Sequence, residues 1–179
     1  MVRCATTRTL QRRIRKAHDG IPLFSLSRSS DAGGANRTWK GRNVSVLKTL
    51  IVDDHAAVRN ALRGLIEEEP GLECVGEAAN GVLAMEAVQT LKPDLMFLDI
   101  NMPERNGLEV LRLLRQDKND VQIVILSNHT DIHYVDAAIR LGANAFVGKD
   151  SGFEVLLQAI QTIQTGDVFV DPATRPRTA

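Results

Sequence analysis

The stretch Pro93-Asp94-Leu95-Met96-Phe97-Leu98-Asp99-Ile100-Asn101-Met102-Pro103 decides how the chain is read. Leu95 to Leu98 is a short, unbroken apolar run, the pattern of a strand covered on both faces. It stops on a carboxylate, Asp99. In an open α/β sheet the carboxyl ends of the strands form the edge where ligands bind. Pro103 cannot continue a central strand, so Asp99 is expected on a stiff loop at that edge rather than buried.

Outward from this stretch the same unit recurs. Residues 47–52, Leu-Lys-Thr-Leu-Ile-Val, form a strand-like run ending on Asp53-Asp54. Val58, Leu62, Leu65 and Ile66 then mark one face of a helix that stops before Pro70-Gly71. Residues 72–77 give a second strand, with a helix from about Asn80 to Leu91. After the third strand at Leu95 comes a helix over Gly107 to Gln116. Val121 to Leu126 is a fourth strand with a helix over Asp131 to Leu141, and Asn144 to Val147 a fifth with a helix over Gly152 to Thr165. Five βα units in strict alternation predict an α/β fold with helices on both faces of a doubly wound, five-stranded parallel sheet. The strand order expected is the flavodoxin-like 2-1-3-4-5.

Charge divides the chain where the pattern begins. The net charge is zero, but residues 1–43 hold ten Lys or Arg against Asp19 and Asp31, and the remainder is correspondingly acidic. Residues 1–45 read as a basic, disordered extension, 46–168 as one folded domain, and 169–179, with Pro172 and Pro176, as a short tail. Leu10, Ile14 and Ala17 recur at helical spacing in the arm, which is the one place where a non-specific, salt-dependent nucleic-acid contact is expected; a solvated tail is the plainer reading. No apolar run approaches the roughly 20 residues that span a bilayer, so no membrane partner is expected. Cys4 and Cys74 make neither a disulfide framework nor a metal motif, which suits a reducing, cytoplasmic setting.

In a 2-1-3-4-5 sheet the first, third, fourth and fifth strands are consecutive. Their ends deliver Asp53, Asp54, Asp99, Ser127 and Lys149 to one crevice. Clustered carboxylates repel one another unless a cation neutralises them, and an all-oxygen donor set suits Mg²⁺. A lysine adds a point charge for phosphoryl oxygens and a serine one hydrogen bond. Taken singly, each residue has an ordinary explanation. Asp99 could be a loop carboxylate, Phe146 a core aromatic, and Ser127 a helix cap, although Thr130 and Asp131 are better placed to cap the fourth helix. His129 and His133 lie four apart, yet further metal ligands beside them are not evident.

Taken together, these residues resemble the receiver domain of two-component response regulators, over residues 46 to about 170. The resemblance rests on Asp53-Asp54, Asp99-Ile100-Asn101-Met102-Pro103, Ser127 after Val124-Ile125-Leu126, and Phe146-Val147-Gly148-Lys149. Asp53-Asp54-His55, Leu126-Ser127-Asn128-His129 and Gly148-Lys149-Asp150 are similar to the NarL/FixJ group. The resemblance implies that Asp99 accepts a phosphoryl group from a phosphohistidine. It further implies that Asp54, Asp99 and the Asn101 backbone carbonyl ligate Mg²⁺, with Asp53 direct or through water. Lys149 would pair with phosphoryl oxygens, Ser127 would swing toward them, and Phe146 would be the switch aromatic. Asn128 would tune how long the acyl phosphate lasts.

A sensor histidine kinase or phosphotransfer protein is the implied partner. A second copy, docking through the fourth helix, fifth strand and fifth helix, is the other candidate. Catalysis beyond self-phosphorylation and self-dephosphorylation is not expected. Regulators of this group usually carry a helix-turn-helix domain after the receiver, and Gly166 to Ala179 is too short for one. The expectation is therefore a stand-alone or truncated regulator acting through protein partners, without sequence-specific DNA contact. The rival reading is a phosphatase using Asp99 as a turnover nucleophile; it wants a second carboxylate at Asn101. An inert interaction module is opposed by the intact Asp54, Asp99, Ser127 and Lys149.

Overall fold

A computed structural model describes residues 37–39, 42–44, 46–129 and 131–174. A small antiparallel pair comes first, β1 (Arg37–Trp39) with β2 (Arg42–Val44), in the register Arg37 to Val44. The composition predicts a largely disordered arm over residues 1–45, and these two short strands are the part of it that is described. A lone two-stranded ladder has little stability of its own. The rest of the basic arm, including the helical spacing at Leu10 to Ala17, lies outside the described residues.

The main sheet contains β3 (Leu47–Val52), β4 (Leu72–Ala78), β5 (Leu95–Asp99), β6 (Gln122–Ser127), β7 (Ala145–Gly148) and β8 (Phe169–Val170). The helices are α1 (Ala56–Glu68), α2 (Gly81–Leu91), α3 (Gly107–Gln116), α4 (Ile132–Leu141) and α5 (Phe153–Gln164). The order is β4-β3-β5-β6-β7-β8 and every pairing is parallel. This is the expected 2-1-3-4-5 arrangement with one strand more than the five anticipated. Phe169 and Val170, read as the start of a tail, pair with Ala145 and Phe146.

The strand period explains why the runs are apolar throughout. Leu50, Met96, Leu98, Ile123 and Phe146 face one layer with Ala84, Val88, Val110, Leu111, Leu114, Val135 and Ala138 of α2, α3 and α4. Ile51, Phe97, Val124 and Val147 face the other with Leu62, Ile66, Leu156, Ala159, Ile160 and Ile163 of α1 and α5. Alternate residues thus serve opposite cores. Each fully buried large side chain contributes about 1.5–3 kcal/mol. All five residues of β5 are buried, so the strand carrying Asp99 has no exposed edge to slip toward.

Polar side chains start three of the helices. Asn80 Oδ1 accepts from the Leu83 amide at 2.9 Å, Asn106 Oδ1 from Glu109 at 2.9 Å, and Asp131 Oδ1 from His133 at 2.8 Å. Each such cap is worth about 1 kcal/mol. Asp131 is therefore the cap of α4, as the sequence suggested; Thr130 lies outside the described residues. Ser127 is not a cap, since its Oγ accepts from the His129 amide at 3.0 Å just past β6.

Candidate functional site

Four strand ends converge at the carboxyl edge. Asp53 follows β3, Asp99 ends β5, Ser127 ends β6, and Lys149 follows Gly148 at the end of β7. Asp53, Asp99 and Ser127 are essentially buried, at 1%, 3% and 0% exposure. The expectation that Asp99 stands clear of the core on a loop is corrected here. It is the last residue of the strand, and Ile100 and Met102 after it are buried as well. The turn is tighter than Pro103 alone implies, because the Gly107 amide reaches back to the Ile100 carbonyl at 2.9 Å.

Lys149 holds the centre. Its Nζ lies 2.6 Å from Asp53 Oδ2 and 3.0 Å from Asp99 Oδ2. Burial alone would lower the ammonium pKa, but the two carboxylates outweigh it and the lysine is held above its ordinary value. Asp99 moves up as well. Burial is the largest cause, only partly offset by Lys149, and the nearby Asp53 charge pushes the same way as burial. One ammonium among three carboxylates leaves net negative charge in a confined space.

Asp54 sits half-buried beside this pair, and His55 turns back over both acids. His55 Nδ1 is 2.6 Å from Asp54 Oδ1, and the His55 amide donates to Asp53 Oδ1 at 2.9 Å. Ligand atoms of Asp53, Asp54, His55 and Asp99 all lie within 4.8 Å of one another, the one such group among the described residues. His129 and His133 do not join it; His129 stacks on Tyr134 with ring centroids 5.5 Å apart. Asp53 Oδ2 and Asp54 Oδ1 are buried with no hydrogen bond of good geometry, close as Lys149 and His55 are. Oxygens left with spare lone pairs in a net negative pocket fit a hard divalent cation. Asn101 and Asn128 are both exposed at the rim. Phe146 is fully buried, facing the layer under α2, α3 and α4, with its ring inward.

Three further residues shape the site and were not singled out from the sequence. Arg59 of α1 donates from Nη1 to the Asp53 carbonyl at 2.7 Å and from Nε to Glu77 at 3.1 Å, tying β3 to β4 behind the acids. A Cβ on Gly107 would lie 2.0 Å from the Asp99 carbonyl oxygen, so α3 can begin against the Asp99 backbone only because residue 107 has no side chain. Asp171, 2% exposed, accepts from the Gly148 amide at 3.1 Å and from the Ser151 hydroxyl. A glycine at the first position of a helix, where it is poorly favoured, was the available signal for Gly107. For Arg59 and Asp171 the partners lie too far along the chain for any local pattern to reveal them.

Fold and pocket together define a doubly wound α/β domain with an acidic, lysine-bridged pocket at its carboxyl edge. The chain belongs to the response regulator receiver domain family, whose match covers residues 49–161. Among curated relatives it is 37% identical over 125 residues to the transcriptional regulatory protein YdfI of Bacillus subtilis, covering 70% of this chain and 58% of that protein. It is 37% identical over 127 residues to the nitrate/nitrite response regulator NarL of Escherichia coli, covering 71% and 59%. The chain thus spans rather more than half the length of these relatives. A solved LuxR-family two-component response regulator from Aurantimonas superposes with a TM-score of 0.69 at 33% identity, covering 73% of this chain and 93% of that one. The NarL receiver domain of Mycobacterium tuberculosis gives 0.64 at 27% identity, covering 67% and 97%. The chain is a receiver domain of the NarL/LuxR type. No helix of the described residues is long and apolar enough to cross a membrane.

Proposed function

We propose that this receiver signals by taking a phosphoryl group onto Asp99 from a phosphohistidine of a sensor kinase or phosphotransfer protein. An Asp99 carboxylate oxygen attacks phosphorus, the P–N bond breaks, and the departing imidazole carries the bonding pair and takes up a proton. The single observation that supports this most is the Lys149 ammonium shared between Asp53 and Asp99. It is a fixed cation beside the nucleophile, at the spot where a third phosphoryl oxygen needs neutralising.

The pocket's donor set fits Mg²⁺, which Asp54, Asp99 and the Asn101 backbone carbonyl would hold with the help of Asp53. When bound, the ion supplies charge neutralisation for the incoming phosphoryl group. The chain's own residues do the rest. Arg59 fixes the backbone of Asp53, and the Ile100–Gly107 turn fixes that of Asp99. Ser127 Oγ, bonded to the His129 amide, exchanges that bond for a phosphoryl oxygen, and Phe146 keeps its ring inward beneath it. Phosphorylation then biases two arrangements of the loop between β6 and α4.

Ile132 and Tyr134 are exposed on α4, so the α4–β7–α5 face is the surface we assign to a second copy or an output partner. The protein acts in the cytoplasm and does no chemistry beyond its own phosphorylation and dephosphorylation. We take the receiver unit to run from residue 46 through Thr174, because β8 and Asp171 are built into it. Incubation with acetyl phosphate and Mg²⁺ should give a hydroxylamine-labile phosphoprotein, and Asp99→Asn should give none. Rapid, catalytic turnover of unrelated phosphate esters would instead support a phosphatase.

A further inference from the structure

The carboxylate of Asp171 is one of the most buried polar groups in the protein and lies outside the acidic pocket. It forms no ion pair among the described residues. Its partners are neutral donors on either side of Lys149. Oδ2 accepts from the Gly148 amide at 3.1 Å and from the Ser151 hydroxyl, while Oδ1 accepts from the Ala173 amide at 2.8 Å. Its own amide donates to the Phe146 carbonyl at 2.9 Å, and the Thr174 hydroxyl donates to its carbonyl at 2.8 Å. Between these anchors the Lys149 amide donates to the Ser127 carbonyl at 2.9 Å, and Ser151 closes the turn onto the Gly148 carbonyl at 3.0 Å.

Burying an ionised carboxylate without a cation is costly, and hydrogen bonds must offset the whole of that cost. An apolar residue would fill the same space beside β8 more cheaply. What only a carboxylate offers is two oxygens, both acceptors. One oxygen can take a donor from before Lys149 and another from after it while the second holds the chain beyond β8. The turn over Gly148 to Ser151 thereby has one backbone path, and that path aims the lysine at Asp53 and Asp99.

We propose that Asp171 is the positioning residue for Lys149, holding from behind the turn that presents the ammonium to the phosphoryl site. It touches neither the phosphoryl group nor the acids, and acts only through Lys149. The proposal rests on the phosphoryl-acceptor reading given above and deepens it.

The test is a double-mutant cycle on the whole chain. Initial rates of acyl phosphate formation from acetyl phosphate, at saturating Mg²⁺, are measured for Asp171→Ala with Lys149 present and with Lys149→Ala. With Lys149 present, Asp171→Ala should slow labelling about tenfold or more, the range for loss of a supporting hydrogen-bond partner. With Lys149→Ala already in place it should slow labelling no further, because the only group it acts through is gone. Ser151→Ala and Asp171→Asn, which remove single bonds and keep β8 packed, should each slow labelling less, with a smaller fall in melting temperature than Asp171→Ala gives. These two variants carry the same cycle if Asp171→Ala fails to fold. Equal slowing in both backgrounds would mean a general structural role, and no slowing would mean none; either overturns the proposal. A wild-type chain that takes no label overturns the phosphoryl reading itself, a result seen without any variant and so distinct from the other two.

Discussion

Replacing Gly107 by alanine is the sharpest single-methyl perturbation the site allows. The new Cβ would stand 2.0 Å from the Asp99 carbonyl oxygen, 2.9 Å from its carbonyl carbon and 3.0 Å from Ile100 Cα. Real Cβ contacts essentially never fall below 3.0 Å, so about 1 Å of separation must be created, and all three neighbours are backbone. Either the first turn of α3 lifts off the sheet or the end of β5 tilts. Overpacking of this kind costs about 1–3 kcal/mol. For a unit of about 130 residues each kilocalorie lowers the melting temperature by about 3–4 °C, so a drop of about 3–12 °C is expected. The same shift moves the Asp99 carboxylate relative to Lys149, and misplacement by about 1 Å can cost about 100-fold in rate. Gly64→Ala is the control. That glycine lies within α1 with nothing within 4 Å of its Cβ position, so the methyl should stabilise by about 0.5–1 kcal/mol with labelling unchanged. Thermal unfolding and acetyl phosphate labelling of both variants check the reasoning. A Gly107→Ala protein melting and labelling like wild type would refute it.

Two other outcomes follow from the same structure. Asp99 is held above its ordinary 3.8 by burial, so the stability it contributes is present below that value and lost as pH rises through the raised one. Asp99→Asn removes this loss. The variant should melt higher than wild type near neutral pH, with the gap closing below about pH 3.8, and a gap independent of pH would contradict the account. Arg115, whose guanidinium donates to the carbonyls of Gly142, Asn119 and Val121 and to Asn144 Oδ1, clamps α3 to the loop before β7. Arg115→Met leaves those acceptors unpaired and should cost about 2–3 kcal/mol in urea unfolding without changing the labelling rate at 25 °C.

The parts of this protein that could be read in its sequence are those governed by local period. Leu95 to Leu98 reads as a buried strand because both faces are covered, and Asp53, Asp99 and Lys149 stand out because each interrupts or closes an apolar run at the same end. The parts that could not be read depend on contacts between distant segments. Phe169-Val170 is too short to signal a strand and precedes a proline, yet the open edge of β7 pairs with it. Pro103 suggested that Asp99 projects from a loop, whereas Gly107 folding back on Ile100 draws it inside. The short ladder at Arg37 to Val44 hides in an arginine-rich stretch whose composition argues for disorder. Asp171 looks like any aspartate in a tail; its partners at Gly148 and Ser151 are 23 and 20 positions away.

The central claim is that Asp99 is the residue that carries the phosphoryl group. Borohydride reduction of the labelled protein, followed by peptide mass spectrometry, tests it most directly, because an acyl phosphate is reduced where it stands and the free carboxylates are not. Conversion is expected at residue 99 alone, dependent on Mg²⁺ and lost in Asp99→Asn. Conversion at Asp53 or Asp54, or a stable phosphate recovered on Ser127 or a histidine, would contradict it.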